Sequence, residues 1–242
     1  MPIWGRLGRI GGMGIRSSLT RSVAPDVHKV APSLNSGFIH RTVRRAIDGV
    51  GPLPTAAHAA EKQLEEQHGV VDKAIGEVIE NHTALAAAGG FVANIGGLVT
   101  ATVTIPANIA GLALLQCRMV AGIAHLRGYD LQDARVRNAI LLCTLGEEAV
   151  ANLVKRKKVP GPPMLIATAP AHDPELESLI AGEVTSALVS RVLGKRAAGT
   201  VIRRVPLAGG IWSGSADAFA TWQVGKYAAR ELKPRGTGSA RR

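Results

Sequence analysis

From residue 83 to residue 117 the chain carries no charged side chain, and charge resumes only at Arg118. Within the run, Gly89, Ala93, Gly97 and Ala101 recur every fourth position. On a helix these four share one side and leave a shallow groove in which another backbone can come close. Pro106 interrupts the pattern, and a second apolar run follows through Gly111 and Leu115. The spacing predicts two close-packed helical segments joined near Ile105 and Pro106. Residues 83–105 are long enough to cross a bilayer, for which about 20 apolar residues suffice. They are rich in Ala, Gly and Thr and include Asn94, so they lack the Leu, Ile, Phe and Val content that drives insertion. Packing inside a helical bundle is the expectation, and a single inserted span is the alternative.

Composition points the same way. Aromatic residues make up 3% of 242 residues while hydrophobic residues make up 46%. That mixture suits close helix packing rather than strands, which favour β-branched and aromatic side chains. No run of alternating strand character occurs, so the chain is expected to be all-α: a Gly/Ala-rich helical bundle built around two glycine-rich helical hairpins. The second hairpin is the apolar stretch around residues 205–216, which ends at Asp217. Three regions are expected: a flexible basic arm over 1–45, the helical domain over 46–232, and a disordered basic tail over 233–242.

The helical pattern itself is expected over 56–68, closed by Gly69, and from Val70 into the charge-free run. Further helices are expected over 107–127, capped by Gly128, and over 131–157, closed by a run of four cations favoured at a helix C-terminus. A break follows at VPGPP, residues 159–163. Asp173 then caps a helix with Pro174 in its first position, and Gly199 ends it. The last helix runs to about Leu232.

The net charge of +11 is concentrated at the two ends and in the cluster at 155–158. Arg6, Arg9 and Arg16 stand beside Trp4, Ile10, Met13 and Ile15, and Arg203 and Arg204 precede the second glycine-rich stretch. These five arginines are the candidate contacts with an anionic membrane surface. A nucleic-acid partner is disfavoured, because the basic residues are not interleaved with aromatics for base stacking.

Catalytic and metal motifs are absent. No two of the seven histidines stand at i,i+4, and no Walker A loop, dinucleotide fingerprint or nucleophile elbow fits. Cys117 and Cys143 lie in apolar patterns and belong to no CxxC, so they are expected to be small core hydrophobes. No metal and no cofactor is implied. What stands out instead is a set of polar residues in apolar surroundings: Asn108, Arg118, Tyr129 and Asp217. An uncompensated buried charge is costly, so Arg118 and Asp217 are expected to pair or to reach water. The alternative is a polar pocket formed by all four between the hairpins.

The segment GGFVANIGGLVTATVTIPANIAGLALLQCRMVAGIAHLRGYDL closely resembles the centre of the EcsC family. The matching positions are Gly89-Gly90, Gly96-Gly97, Thr100, Pro106-Ala107-Asn108, Arg118 and Gly128-Tyr129-Asp130. Residues 205–217 resemble the family's second glycine-rich segment. Asn108 stands where the family has Asp, which keeps hydrogen-bonding shape and removes the charge. The resemblance implies a membrane context, since the founding member is encoded beside an ABC transporter. The expectation is therefore a non-catalytic helical protein associated with an anionic membrane surface, lipid or a membrane protein partner. It would be cytoplasmic and peripheral, with integral insertion as the alternative. A soluble hydrolase-like enzyme using the four-residue pocket and a basic nucleic-acid binder are the competing classes.

Overall fold

A computed structural model describes residues 36–88, 107–202 and 209–235. Among them the chain is all-α, with a single isolated bridge between Val50 and Leu53. The helices are α1 (Ser36–Asp48), α2 (Ala56–Glu66), α3 (Val71–Ala87), α4 (Ala107–Leu126), α5 (Ala134–Leu145), α6 (Glu147–Lys155), α7 (Pro163–Ala167), α8 (Pro174–Ile202) and α9 (Gly209–Glu231). The small-residue stripe at 89–101 and the start of the second glycine-rich stretch fall outside the described residues, as do Arg6, Arg9, Arg16, Arg203 and Arg204.

Helix α4 is the axis of the bundle. Leu114, Leu115, Met119, Val120, Ala121, Ile123 and Ala124 are all buried, and so are Gln116, Cys117 and Arg118 between them. A helix buried all round needs neighbours on every side. These are α1, α2, α3, α5, α8 and α9. Cys117 and Cys143 are buried free thiols, and burial pushes the Cys117 thiol up to about 12.

Helix α9 lies along α3 and α4. At Gly225 an added Cβ would meet Ile79 at 2.9 Å and the Met119 sulfur at 3.1 Å, so glycine sets the separation of these three helices. Thr221 and Ala228, one turn to either side, are fully buried.

The structure departs from the expected boundaries in four places. Residues 36–45 belong to α1, not to a flexible arm, because Ile39, Val43, Ala46 and Ile47 recur at helical spacing and bury against the core. The expected single helix over 131–157 is two. Asp133 caps α5 by accepting from the Arg135 N–H at 2.8 Å, and Gly146, with φ of +86°, ends it. Glu147 and Glu148 then occupy the favourable first turn of α6. Gly199 does not end α8, which continues to Ile202; its start is as expected, with the Asp173 carboxylate accepting from Glu175 and Leu176 N–H groups at 2.9 and 3.1 Å. Finally, residues 233–235 pack back on the end of α4: Arg235 N–H donates to Arg127 O at 2.9 Å.

Candidate functional site

Arg118, Tyr129 and Asp217 stand apart from one another. Asn108 belongs to α4, and its side chain lies outside what the structure describes. Tyr129 lies just past the other end of that helix, buried, with its hydroxyl donating to Lys233 O at 3.0 Å and the Arg235 guanidinium over its ring at 5.5 Å. Burial raises its phenol above the usual range. Tyr129 thus holds the C-terminal segment against the α4 terminus. Asp217 is half-buried on α9, close enough to Arg191 to favour that residue's charge.

Arg118 is elsewhere. It is 6% exposed and donates from Nη1 to Ala46 O at 3.3 Å and from Nη2 to Thr55 O at 3.4 Å. The first acceptor belongs to the last turn of α1, where carbonyls lack intrahelical partners and the dipole favours a cation. The second belongs to the N-cap of α2, whose hydroxyl accepts from the His58 N–H. Arg118 therefore ties the two ends of the α1–α2 loop together. That loop turns on Gly49, with φ of +86°, where a Cβ would lie 2.3 Å from Leu53 O. Among the described residues no carboxylate pairs with Arg118, and desolvation lowers its pKa. The expected ion pair with Asp217 does not form. Positions two apart on a helix are rotated by about 200°, so Gln116 faces α8 and α9 while Arg118 faces α1 and α2.

Arg118 borders a cavity of about 180 Å³ between α2, α3 and α4. Its walls are Ala56, Ala59, Ala60, Val78 and Gly122, with Gln63, Asn81 and His82 as the other polar members. The void follows from the sequence: four of these wall residues are Ala or Gly, too small to meet across three helices. Gln63 and Asn81 are joined by an Nδ2-to-Oε1 bond of 3.3 Å. His82 Nδ1 is 2.7 Å from Val78 O. A carbonyl only accepts, so Nδ1 carries the proton and Nε2 is left as an acceptor. Burial of the ring, with the nearby Arg118 charge adding to it and the Val78 bond opposing, lowers the His82 pKa from 6.5 to about 4. The imidazole is neutral at physiological pH.

Sequence reasoning passed over His82 because it forms no pair with another histidine. Its signal was positional. It stands four residues after Val78 on the buried stripe of α3, directly before the charge-free run.

A second concavity, open and about 880 Å³, lies between α5, α6, α8 and α9 and is bordered by Arg191, Lys226, Arg230, Glu147 and Trp222. Beside it Phe219 and Trp222 stack at 6.1 Å between ring centroids, 60% and 43% exposed. No group of three or more His, Cys, Asp or Glu side chains able to hold a metal occurs among the described residues. None of the described helices is long and apolar enough to cross a membrane. Comparisons with family models, curated proteins and solved structures find no significant match to this chain.

Proposed function

We propose that this chain is an EcsC-type helical protein that works, without catalysis, at an anionic membrane surface on the cytoplasmic side, in contact with lipid or a membrane protein. The reading rests most on the outer surface of α9. There Phe219 and Trp222 form an exposed aromatic pair, and Lys226 and Arg230 follow Trp222 at four-residue intervals, Arg230 being paired with Glu147 at 2.6 Å. Trp222, Lys226 and Arg230 thus share one side of the helix. An apolar ring beside cations on one helical stripe is the arrangement that suits the boundary between headgroups and acyl chains. The net charge of +11 adds long-range attraction to such a surface. Arg6, Arg9, Arg16, Arg203 and Arg204 supply further cations under the same reading.

Co-sedimentation with vesicles tests it. Binding is expected to vesicles containing phosphatidylserine, to weaken as salt is raised, and to be much weaker on pure phosphatidylcholine. Replacing both Phe219 and Trp222 by Ser is expected to reduce binding at least about tenfold, a loss of about 1.4 kcal/mol or more. Removing residues 1–35, which carry five Lys/Arg and one Asp, is expected to reduce the salt-dependent part while sparing α1. Equal binding to neutral and anionic vesicles contradicts the electrostatic part, and full binding by the double variant contradicts the role of α9.

A further inference from the structure

The space between α2, α3 and α4 opens partly to solvent, with Asn81 exposed at its rim and Ala59, Gln63 and His82 half-buried. The α2–α3–α4 cavity is about 180 Å³. The liquid volume of one water is about 30 Å³, and an engineered apolar cavity of about 150 Å³ admits benzene. The space therefore fits a molecule of roughly six to eight non-hydrogen atoms.

Its chemistry is asymmetric. Arg118 is nine-tenths buried and uses two of its five N–H donors on backbone carbonyls, at the long distances of 3.3 and 3.4 Å. No carboxylate of the described residues neutralises it. His82 lines the cavity, and with its proton on Nδ1 the other ring nitrogen, Nε2, is the acceptor. The Gln63 and Asn81 amides are bonded to one another at the side of the cavity. The rest of the wall is Ala56, Ala59, Ala60, Val78 and Gly122. One buried guanidinium matches one negative charge, whereas a phosphate dianion would need a second cation that the cavity does not contain. The histidine acceptor calls for a donor on the same ligand, and the apolar wall for a short hydrocarbon part.

We propose that this cavity is a binding site for a small hydroxycarboxylate, with the carboxylate on Arg118 and the hydroxyl donating to His82 Nε2. The proposal is independent of membrane association, and its test contains no lipid. The whole chain's positive charge favours the approach of any small anion, so the test compares ligands of equal charge.

The full-length protein is melted in sodium lactate, sodium propionate, inorganic phosphate or sodium chloride at equal ionic strength. Lactate and propionate differ by the hydroxyl alone. Lactate at ten times its dissociation constant is expected to raise Tm by about 3–5 °C, propionate by clearly less, and chloride not at all. Ala59→Leu, which fills the cavity from its half-buried wall, is expected to abolish both responses. Gly122→Ala, whose Cβ sits at ordinary contact distances of 3.5 and 3.6 Å from Ala60 and Val78, narrows the cavity without disturbing the fold and is expected to weaken them. His82→Leu is expected to retain the propionate response and lose the additional effect of lactate. Equal responses to lactate and propionate would overturn the assignment of His82. A lactate response that survives both Ala59→Leu and Gly122→Ala would place binding elsewhere. A response to phosphate alone, or to none of the anions, would overturn the ligand class.

Discussion

Gln116 and Arg118 stand two residues apart on α4, both more than nine-tenths buried, in opposite surroundings. Gln116 Nε2 donates to Thr221 Oγ1 at 3.2 Å, and its Oε1 accepts from Arg191 Nη1 at 3.5 Å. The space beside it is about 20 Å³, room for a single water. Arg118 has two long bonds to carbonyls, no counter-ion among the described residues, and a cavity about nine times larger. The two glycines repeat the contrast. Gly225 on the α9 side admits no Cβ without displacing Ile79 and Met119, whereas a Cβ at Gly122 on the α2 side meets only ordinary contacts. One side of α4 is locked by complementary polar groups and tight packing. The other keeps a buried charge beside a pocket that opens partly to solvent.

Substitutions on the two sides should therefore behave differently. The largest effect is expected at Gly225. Gly225→Val forces two methyl groups into Ile79 and Met119 and should cost about 3 kcal/mol, lowering Tm by roughly 6–12 °C. Next is the paired comparison along α4. Gln116→Leu strands Thr221 and Arg191 and should cost about 2 kcal/mol in urea unfolding. Arg118→Met should cost less than about 1 kcal/mol, because relief of cation desolvation offsets the two lost bonds. A larger loss at Arg118 than at Gln116 would show that loop tethering dominates and would erase the contrast.

Acid adds a third probe. The His82 pKa is lower in the folded protein than the unfolded value of 6.5, so protonation favours the unfolded state. Its contribution is full above pH 6.5, falls as pH drops toward about 4, and levels off below that. The difference in stability between pH 6.5 and pH 4 should shrink by about 2–3 kcal/mol in His82→Gln. The smallest expected effect is Gly122→Ala, a gain of about 0.5–1 kcal/mol from helix propensity at a position with room for the methyl group.

Local signals carried most of the architecture. Asp173 before Pro174, and Gly69 and Gly128 after apolar runs, act through backbone geometry and capping, which depend on near neighbours alone. Gly146 was harder to read, because a glycine is tolerated within a helical pattern; the two acids that follow it were the sign of a new first turn. The apolar stripe of α1 was obscured by Arg41, Arg44 and Arg45, which stand between its buried residues. The site was legible only in half. Arg118 is conspicuous as the first charge after a long apolar run, yet its surroundings depend on Ala56, Ala60 and Gly122 being small on facing walls. Which small residues face one another is decided by helix packing, not by spacing along one helix. The same holds for Asp217, whose sign suggested a partner for Arg118 but whose helix faces the other side of α4.

The central claim is that His82 is a neutral acceptor held beside a buried cation. ¹⁵N NMR of histidine-labelled protein measures this directly. The account predicts a His82 ring with its proton on Nδ1, a titration midpoint near pH 4, and a displacement of the Nε2 resonance by lactate that propionate does not reproduce. A proton on Nε2, a midpoint near 6.5, or an Nε2 resonance indifferent to lactate would contradict it.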